Sequence, residues 1–180
     1  MKKFFCSERF LETFDFIILI CSSIVIALFF NRFIILNAYI PSSSMENTLM
    51  IGDSLLVNRL HYLFSEPKRF DIVVFIPPDN DKNLFIKRII GMPGEKLEVT
   101  DGKVYINDEP LEENFLDKKT YESMGPFYIP DGCYFMMGDN RNNSNDSRYW
   151  SNTFLKREKI LGKALFRMSP SFGSIYKKLK

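Results

Sequence analysis

Three short stretches of this sequence combine residue types that a plain structural domain does not need. The first is Ile40-Pro41-Ser42-Ser43-Ser44-Met45-Glu46-Asn47-Thr48-Leu49. Pro41 ends an extended run and opens a turn. A serine on a tight turn presents its hydroxyl while neighbouring N–H groups converge on the same space. That arrangement suits a nucleophile beside an oxyanion site; read alone, it is more simply a Ser-rich turn. The second is Leu84-Phe85-Ile86-Lys87-Arg88-Ile89-Ile90. Strand alternation sets Phe85, Lys87 and Ile89 on one face and Ile86, Arg88 and Ile90 on the other. A lysine between apolar neighbours either snorkels to water or is buried and loses its proton. Unperturbed, it is neutral about one part in 2,500 at pH 7, a deficit of roughly 4.6 kcal/mol. Burial lowers a lysine pKa by up to ~3–5 units, which turns it into a general base. Taken alone, the segment is more simply a strand facing a partner or solvent. The third stretch, 137–150, is polar and turn-rich after an apolar strand. Asp139, Asn140 and Asn142 suggest calcium ligands, but the closing Glu is missing and Arg141 and Arg148 oppose a cation. It reads as a hydrogen-bonded loop buttressing a site, or as a solvated loop.

The elements that must position these residues are mostly strands. Residues 33–40, 54–58, 71–76, 84–90, 96–100, 103–106 and 132–137 are short, rich in Val, Ile, Phe and Tyr, and bounded by turn residues. Val99-Thr100-Asp101-Gly102-Lys103-Val104 carries a two-residue hairpin signature. A helix is expected over 148–154. This predicts a mainly β, antiparallel sheet or barrel-like domain over 33–180, with a small insert at 97–127. Ahead of it, residues 16–30 carry no charge and span roughly 22 Å as a helix at ~1.5 Å per residue. The run is apolar on every face, as lipid exposure favours. A cleaved leader lacks an A-x-A-like site after Phe30, and a lipobox ending at Cys21 is opposed by Ile20. Residues 1–32 are therefore expected to be a cytoplasmic N-terminus and a transmembrane anchor. Lys2, Lys3 and Arg9 precede the run, which places the N-terminus inside and the domain outside.

Composition narrows the classes. A net charge of +2 over 180 residues excludes a strongly basic nucleic-acid binder, and 46% apolar residues exclude a disordered chain. His61 is the only histidine, and Cys6, Cys21 and Cys133 are too few and too spread for a zinc cluster or a disulfide framework.

Taken jointly, in this order and behind an anchor, the three stretches resemble bacterial type I signal peptidases. That family carries a P-S-x-S-M-x-P-T-L block, a K-R-x-x-G-x-P-G-[DE] block and a G-D-N-R-x-N-S-x-D-S-R block. Here they read Pro41 to Leu49, Lys87 to Glu95, and Gly138 to Arg148. The resemblance covers most of residues 10–170 and implies a serine–lysine dyad. Ser44 matches the nucleophile and Lys87 the general base. Ser42 matches the hydroxyl that joins the Ser44 N–H in the oxyanion hole. Ser144 matches a serine that hydrogen-bonds the lysine, Asp146 and Arg148 a supporting ion pair, and Asp139 the same buttressing loop. Ile40, Pro41, Met45, Leu49, Phe85 and Ile86 fall at positions that line the substrate cleft. The implied partners are signal-peptide-bearing pre-proteins and the lipid bilayer, with no nucleic acid, metal or cofactor. The implied place is the bacterial cytoplasmic membrane, with the catalytic domain on its outer face. Oligomeric state is left open.

Three departures stand out. Asn47 replaces the usual proline, which should leave the turn after Ser44 less rigid. Ser151 replaces a usual glycine, which should strain or remodel its turn. The insert is short and without cysteine, so Cys133 is the one cysteine expected outside the membrane. A self-cleaving repressor-type serine–lysine protease is a rival, but it would carry a DNA-binding helix-turn-helix where this chain has an anchor. A conjugation- or pilus-specific processing peptidase, and a membrane-anchored module that binds exported chains without cutting them, are the others.

Overall fold

The computed structural model describes residues 2–79, 83–116, 120–170 and 172–175, with the helical stretches 2–11 and 30–32 described by their backbone alone. The chain divides into two compact units, Met1–Ile35 and Leu36–Lys180. The first is one helix, α1 (Lys2–Phe33). Its stretch Glu12–Phe29 has a mean hydropathy of 2.1 and is long and apolar enough to cross a membrane. Large apolar side chains such as Phe16, Leu19, Val25 and Leu28 are exposed along it. Ser22 and Ser23 donate their hydroxyls to the Leu19 carbonyl, at 2.9 and 2.6 Å. Both polar groups are thus satisfied within the helix, as a hydrocarbon surrounding demands.

The second unit is antiparallel β structure. Its strands are β1 (Ile35–Tyr39), β2 (Ser54–Asn58), β3 (Ile72–Phe75), β4 (Phe85–Gly91), β5 (Lys96–Thr100), β6 (Lys103–Ile106), β7 (Glu109–Pro110), β8 (Met124–Tyr128), β9 (Cys133–Met137), β10 (Leu155–Lys156), β11 (Ile160–Ser169) and β12 (Gly173–Ser174). The large sheet runs β1-β2-β11-β3-β4-β9-β10, with β12 added to β11, and curls into a half-barrel; the small sheet runs β7-β6-β5-β8. Strand β3 is buried on both faces. Ile72 and Val74 point to one cluster with Ile40, Met45, Leu49, Leu55 and Val57. Val73 and Phe75 point to another with Ile89, Tyr134, Met136 and Trp150. The small sheet closes a third cluster, in which Leu97, Val99 and Val104 meet Ile90, Phe135 and Met137.

The β5–β6 hairpin forms on Asp101 and Gly102, both at positive φ (49° and 75°), as its sequence predicts. No helix forms over 148–154. The Tyr149 and Trp150 amides both bond the Asp146 carbonyl, giving one turn, and Asp79 then takes the Ser151 and Asn152 amides at 2.6 and 3.0 Å. Those carboxylate bonds compete with helical ones and stop the turn. Strand β11 escapes a reading by β propensity because Gly162 and Ala164 interrupt its pattern. Its tight seat against β2 requires the gap: a Cβ on Gly162 would stand 2.6 Å from the Asn58 carbonyl oxygen.

Candidate active site

The serine turn begins where Pro41 ends the extended run after β1. Ser42 is extended (φ −133°, ψ 159°), and Ser43–Met45 form one 3-10 turn. Met45 is 1% exposed and pins that turn to the core. Asn47 then stands at φ 87°. Proline, locked near −65°, cannot take that angle, whereas asparagine tolerates it. The residue expected to loosen the turn therefore gives the backbone a bend that the usual proline excludes. Ser151 lies outside the positive-φ residues, so the strain expected from replacing a glycine is absent.

Strand β4 delivers Lys87 to this turn. Lys87 is 4% exposed, and its Nζ donates to Ser44 Oγ at 2.5 Å. Burial lowers its pKa from 10.5 to about 8, against the opposing pull of the Asp146 and Asp139 carboxylates. Ser42 Oγ lies 3.4 Å from Ser44 Oγ. The sole histidine, His61, meets Tyr62 edge-on at 4.9 Å and has Lys163, Asp71 and Lys68 as its charged neighbours, while Lys87 is the titratable group bonded to the serine.

The loop 138–150 buttresses the turn. The Asn140 N–H donates to the Ser44 carbonyl at 3.1 Å, Asn140 Nδ2 to the Ser43 carbonyl at 3.1 Å, and Asn143 Nδ2 to Ser43 Oγ at 2.9 Å. Asp146 accepts from Arg148 Nε and Nη2 at 2.9 and 3.0 Å, and its Oδ2 also takes the Gly138 N–H at 3.0 Å. Asp139 pairs bidentately with Arg88, at 2.8 and 2.6 Å. Gly138 must be glycine, since a Cβ there would stand 2.3 Å from both Ser144 Oγ and the Ser44 carbonyl oxygen.

Two expectations need correction. Ser144 is buried beside this site, but its hydroxyl has no hydrogen-bond partner among the described residues, so the bond to Lys87 implied by the resemblance is not made. Lys87 Nζ is turned to Ser44, while Ser144 Oγ lies against Gly138. Leu49 does not line the cleft. It is fully buried in the core beneath, its amide bonded to the Met45 carbonyl at 2.8 Å. The cleft itself measures about 570 Å³, and Ile40, Pro41, Met45, Phe85 and Ile86 do line it, beside Ser42, Ser44 and Lys87.

Sequence reasoning missed Thr48, which donates to Asp139, and two carboxylates of the β7–β8 connection, Glu113 and Glu122, which pair with Arg141 and Arg148. Only contact across the fold reveals the latter two, which lie 28 and 26 residues from their arginines. A second cleft, about 440 Å³, holds Cys133, whose thiol burial pushes upward and so makes a poor nucleophile. Among the described residues, no group of three or more His, Cys, Asp or Glu side chains is placed to hold a metal ion.

Comparison with known proteins places these features in context. Residues 13–169 match the sequence pattern of "Signal peptidase, peptidase S26". The chain is 44% identical over 154 residues to a probable signal peptidase I-2 of Synechocystis sp., covering 83% of this chain and 70% of that protein. It is 42% identical over 155 residues to a signal peptidase I of Leptolyngbya laminosa, covering 82% and 75%. It is also 40% identical over 142 residues to the chloroplast thylakoidal processing peptidase 1 of Arabidopsis thaliana, covering 73% of this chain and 41% of that protein.

Proposed function

The chain belongs to the peptidase S26 family of signal peptidases, and from that membership we propose that it removes signal peptides from exported pre-proteins through a Ser44–Lys87 dyad. The observation that carries this reading is the 2.5 Å contact between Lys87 Nζ and Ser44 Oγ, made by a lysine held near pKa 8. At pH 7 such a lysine is neutral about one time in ten, so the deficit of an unperturbed lysine falls to roughly 1.4 kcal/mol.

Neutral Lys87 takes the Ser44 hydroxyl proton as Oγ attacks the scissile carbonyl carbon. The carbonyl electrons move to oxygen, which the Ser42 hydroxyl and the Ser44 N–H stabilise. Collapse expels the amine of the mature chain, which leaves with the proton from the Lys87 ammonium. Water, giving a proton to Lys87, then attacks the ester; as the C–Oγ bond breaks, Lys87 returns that proton to Ser44 Oγ and the signal peptide leaves as its acid. The precursor lies extended along the cleft, whose lining includes the apolar side chains of Ile40, Met45, Phe85 and Ile86. An apolar lining of this kind suits small side chains at −1 and −3 of the cut. The helix α1 anchors the enzyme in the membrane. The basic residues of its first turns, ahead of the apolar stretch Glu12–Phe29, favour an N-terminus inside and a catalytic domain, residues 33–180, on the outer face of a bacterial cytoplasmic membrane.

The test is cleavage of a precursor with alanine at −1 and −3 by the full chain in detergent micelles. A single cut is expected, lost in Ser44→Ala and slowed on the order of 10²–10³-fold in Ser42→Ala, as for one oxyanion donor. Undiminished cleavage by Ser44→Ala would overturn the assignment.

A further inference from the structure

The loop that buttresses the dyad is itself gripped from outside the large sheet. Glu113 and Glu122 both lie in the connection between β7 and β8, which the catalytic chemistry above does not use. Glu113 takes Arg141 Nη1 at 3.0 Å and Nη2 more closely still, while the same guanidinium donates through Nε to the Gly138 carbonyl at 3.1 Å. Glu122 takes Arg148 Nη1 at 2.6 Å and the Tyr149 hydroxyl, while Arg148 Nη2 donates to the Arg141 carbonyl at 2.8 Å and Nε to Asp146. Each arginine thus ties one insert carboxylate to one backbone carbonyl, those of Gly138 and Arg141, on either side of Asp139 and Asn140. Both arginine side chains are almost fully buried (2% and 1% exposed), and Glu113 is at 6%. Rigid planar forks at that depth fix orientation as well as charge.

We propose that Glu113 and Glu122 are positioning residues for the dyad, through which the β7–β8 connection sets the stance of the 138–148 loop against Lys87 and Ser44. The inference rests on the dyad reading. It deepens that reading by giving the insert a role in turnover rather than in substrate binding. The charged groups facing Lys87 are the carboxylates of Asp146 and Asp139, balanced by Arg148 and Arg88. Without Glu122, Asp146 is the one carboxylate left paired to Arg148 among the described residues, which blunts the carboxylate field that keeps Lys87 protonated.

The experiment uses Glu122→Gln in the full-length enzyme, because Glu122 is 38% exposed and its loss leaves the buried Arg148–Asp146 pair intact. Expected are a kcat lower by about 10-fold or more, as for loss of an outer supporting contact, a KM within about twofold of the parent, and an acid limb of the pH–rate profile moved to lower pH. Glu122→Asp should recover part of the kcat. Ser44→Ala, run alongside, tests the dyad: activity surviving there sinks the dyad reading, whatever Glu122→Gln does. With Ser44→Ala inactive, unchanged kcat and acid limb in Glu122→Gln, or an effect confined to KM, would overturn the positioning role.

Discussion

Lys87 and Arg88 are consecutive on β4, and each is 4% exposed. Arg88 turns to the buttressing loop. Asp139 holds its guanidinium bidentately, the Phe70 carbonyl accepts from Nη1 at 3.0 Å, and the Phe115 ring lies 4.0 Å from its centre. Lys87 turns to the serine turn, where among the described residues it bonds Ser44 Oγ with the Phe85 ring 5.4 Å away. Asp139 and Asp146 reach it only through space. One strand therefore buries two cations by opposite means. The arginine is given its counter-charge in contact and stays an ion. The lysine is denied one and is pushed towards the neutral amine. The alternation that separates adjacent side chains lets a structural ion pair and the proposed base share a strand without neutralising each other.

The largest expected effect comes from erasing that distinction. Lys87→Arg keeps a cation but cannot surrender its proton. Precursor cleavage should fall on the order of 10⁴-fold or more at every pH from 5 to 10, as when an acid–base partner is removed. The parent enzyme should gain activity as pH rises through about 8, where Lys87 deprotonates. Substantial cleavage by folded Lys87→Arg would take Lys87 out of the chemistry.

Breaking the other half of the comparison should cost stability. Asp139→Asn removes the charge that Arg88 holds at 2.6 Å in a site where both side chains are almost wholly buried. Removing one member of a buried pair costs about 3–5 kcal/mol, read as a lower urea midpoint in the same detergent. An unchanged midpoint would mean that Arg88 finds another partner.

The division on β4 was half legible in the sequence. Alternation gave the two faces, and the apolar neighbours marked both cations as candidates for burial. Three strands, β2, β5 and β6, match their predicted bounds because β-branched runs and Gly-containing turns delimit them locally. What local pattern does not encode is which carboxylate meets which cation. Asp139 lies 51 residues from Arg88, and Glu122 lies 26 from Arg148. The short strands β7 and β10 exist only because neighbours receive them, and β11 is shaped by its fit to β2. The family resemblance supplied the roles proposed for Ser42, Ser44 and Lys87, which the stretches 40–49 and 84–90 read alone left open. It also supplied a Ser144–Lys87 bond that this geometry does not make.

The finest test of the comparison replaces each neighbour by methionine, which conserves bulk and removes charge. In the unfolded chain Lys87 titrates near its ordinary 10.4, and in the folded protein near 8. Above about 10.5 both states carry the neutral amine, and the lysine imposes no penalty. As pH falls through that value the unfolded chain protonates first and gains on the folded one. The penalty is complete below about 8, at roughly 3 kcal/mol. Lys87→Met should therefore raise the urea midpoint at pH 6.5, with the gain shrinking to nothing as pH approaches 10.5. Arg88→Met should lower the midpoint across the same range, because it strands the Asp139 carboxylate in the interior. The same substitution at adjacent, equally buried residues is thus expected to act with opposite sign. A Lys87→Met enzyme less stable than its parent at pH 6.5 would show that Lys87 is a paired structural cation like its neighbour, and the base would have to be sought elsewhere.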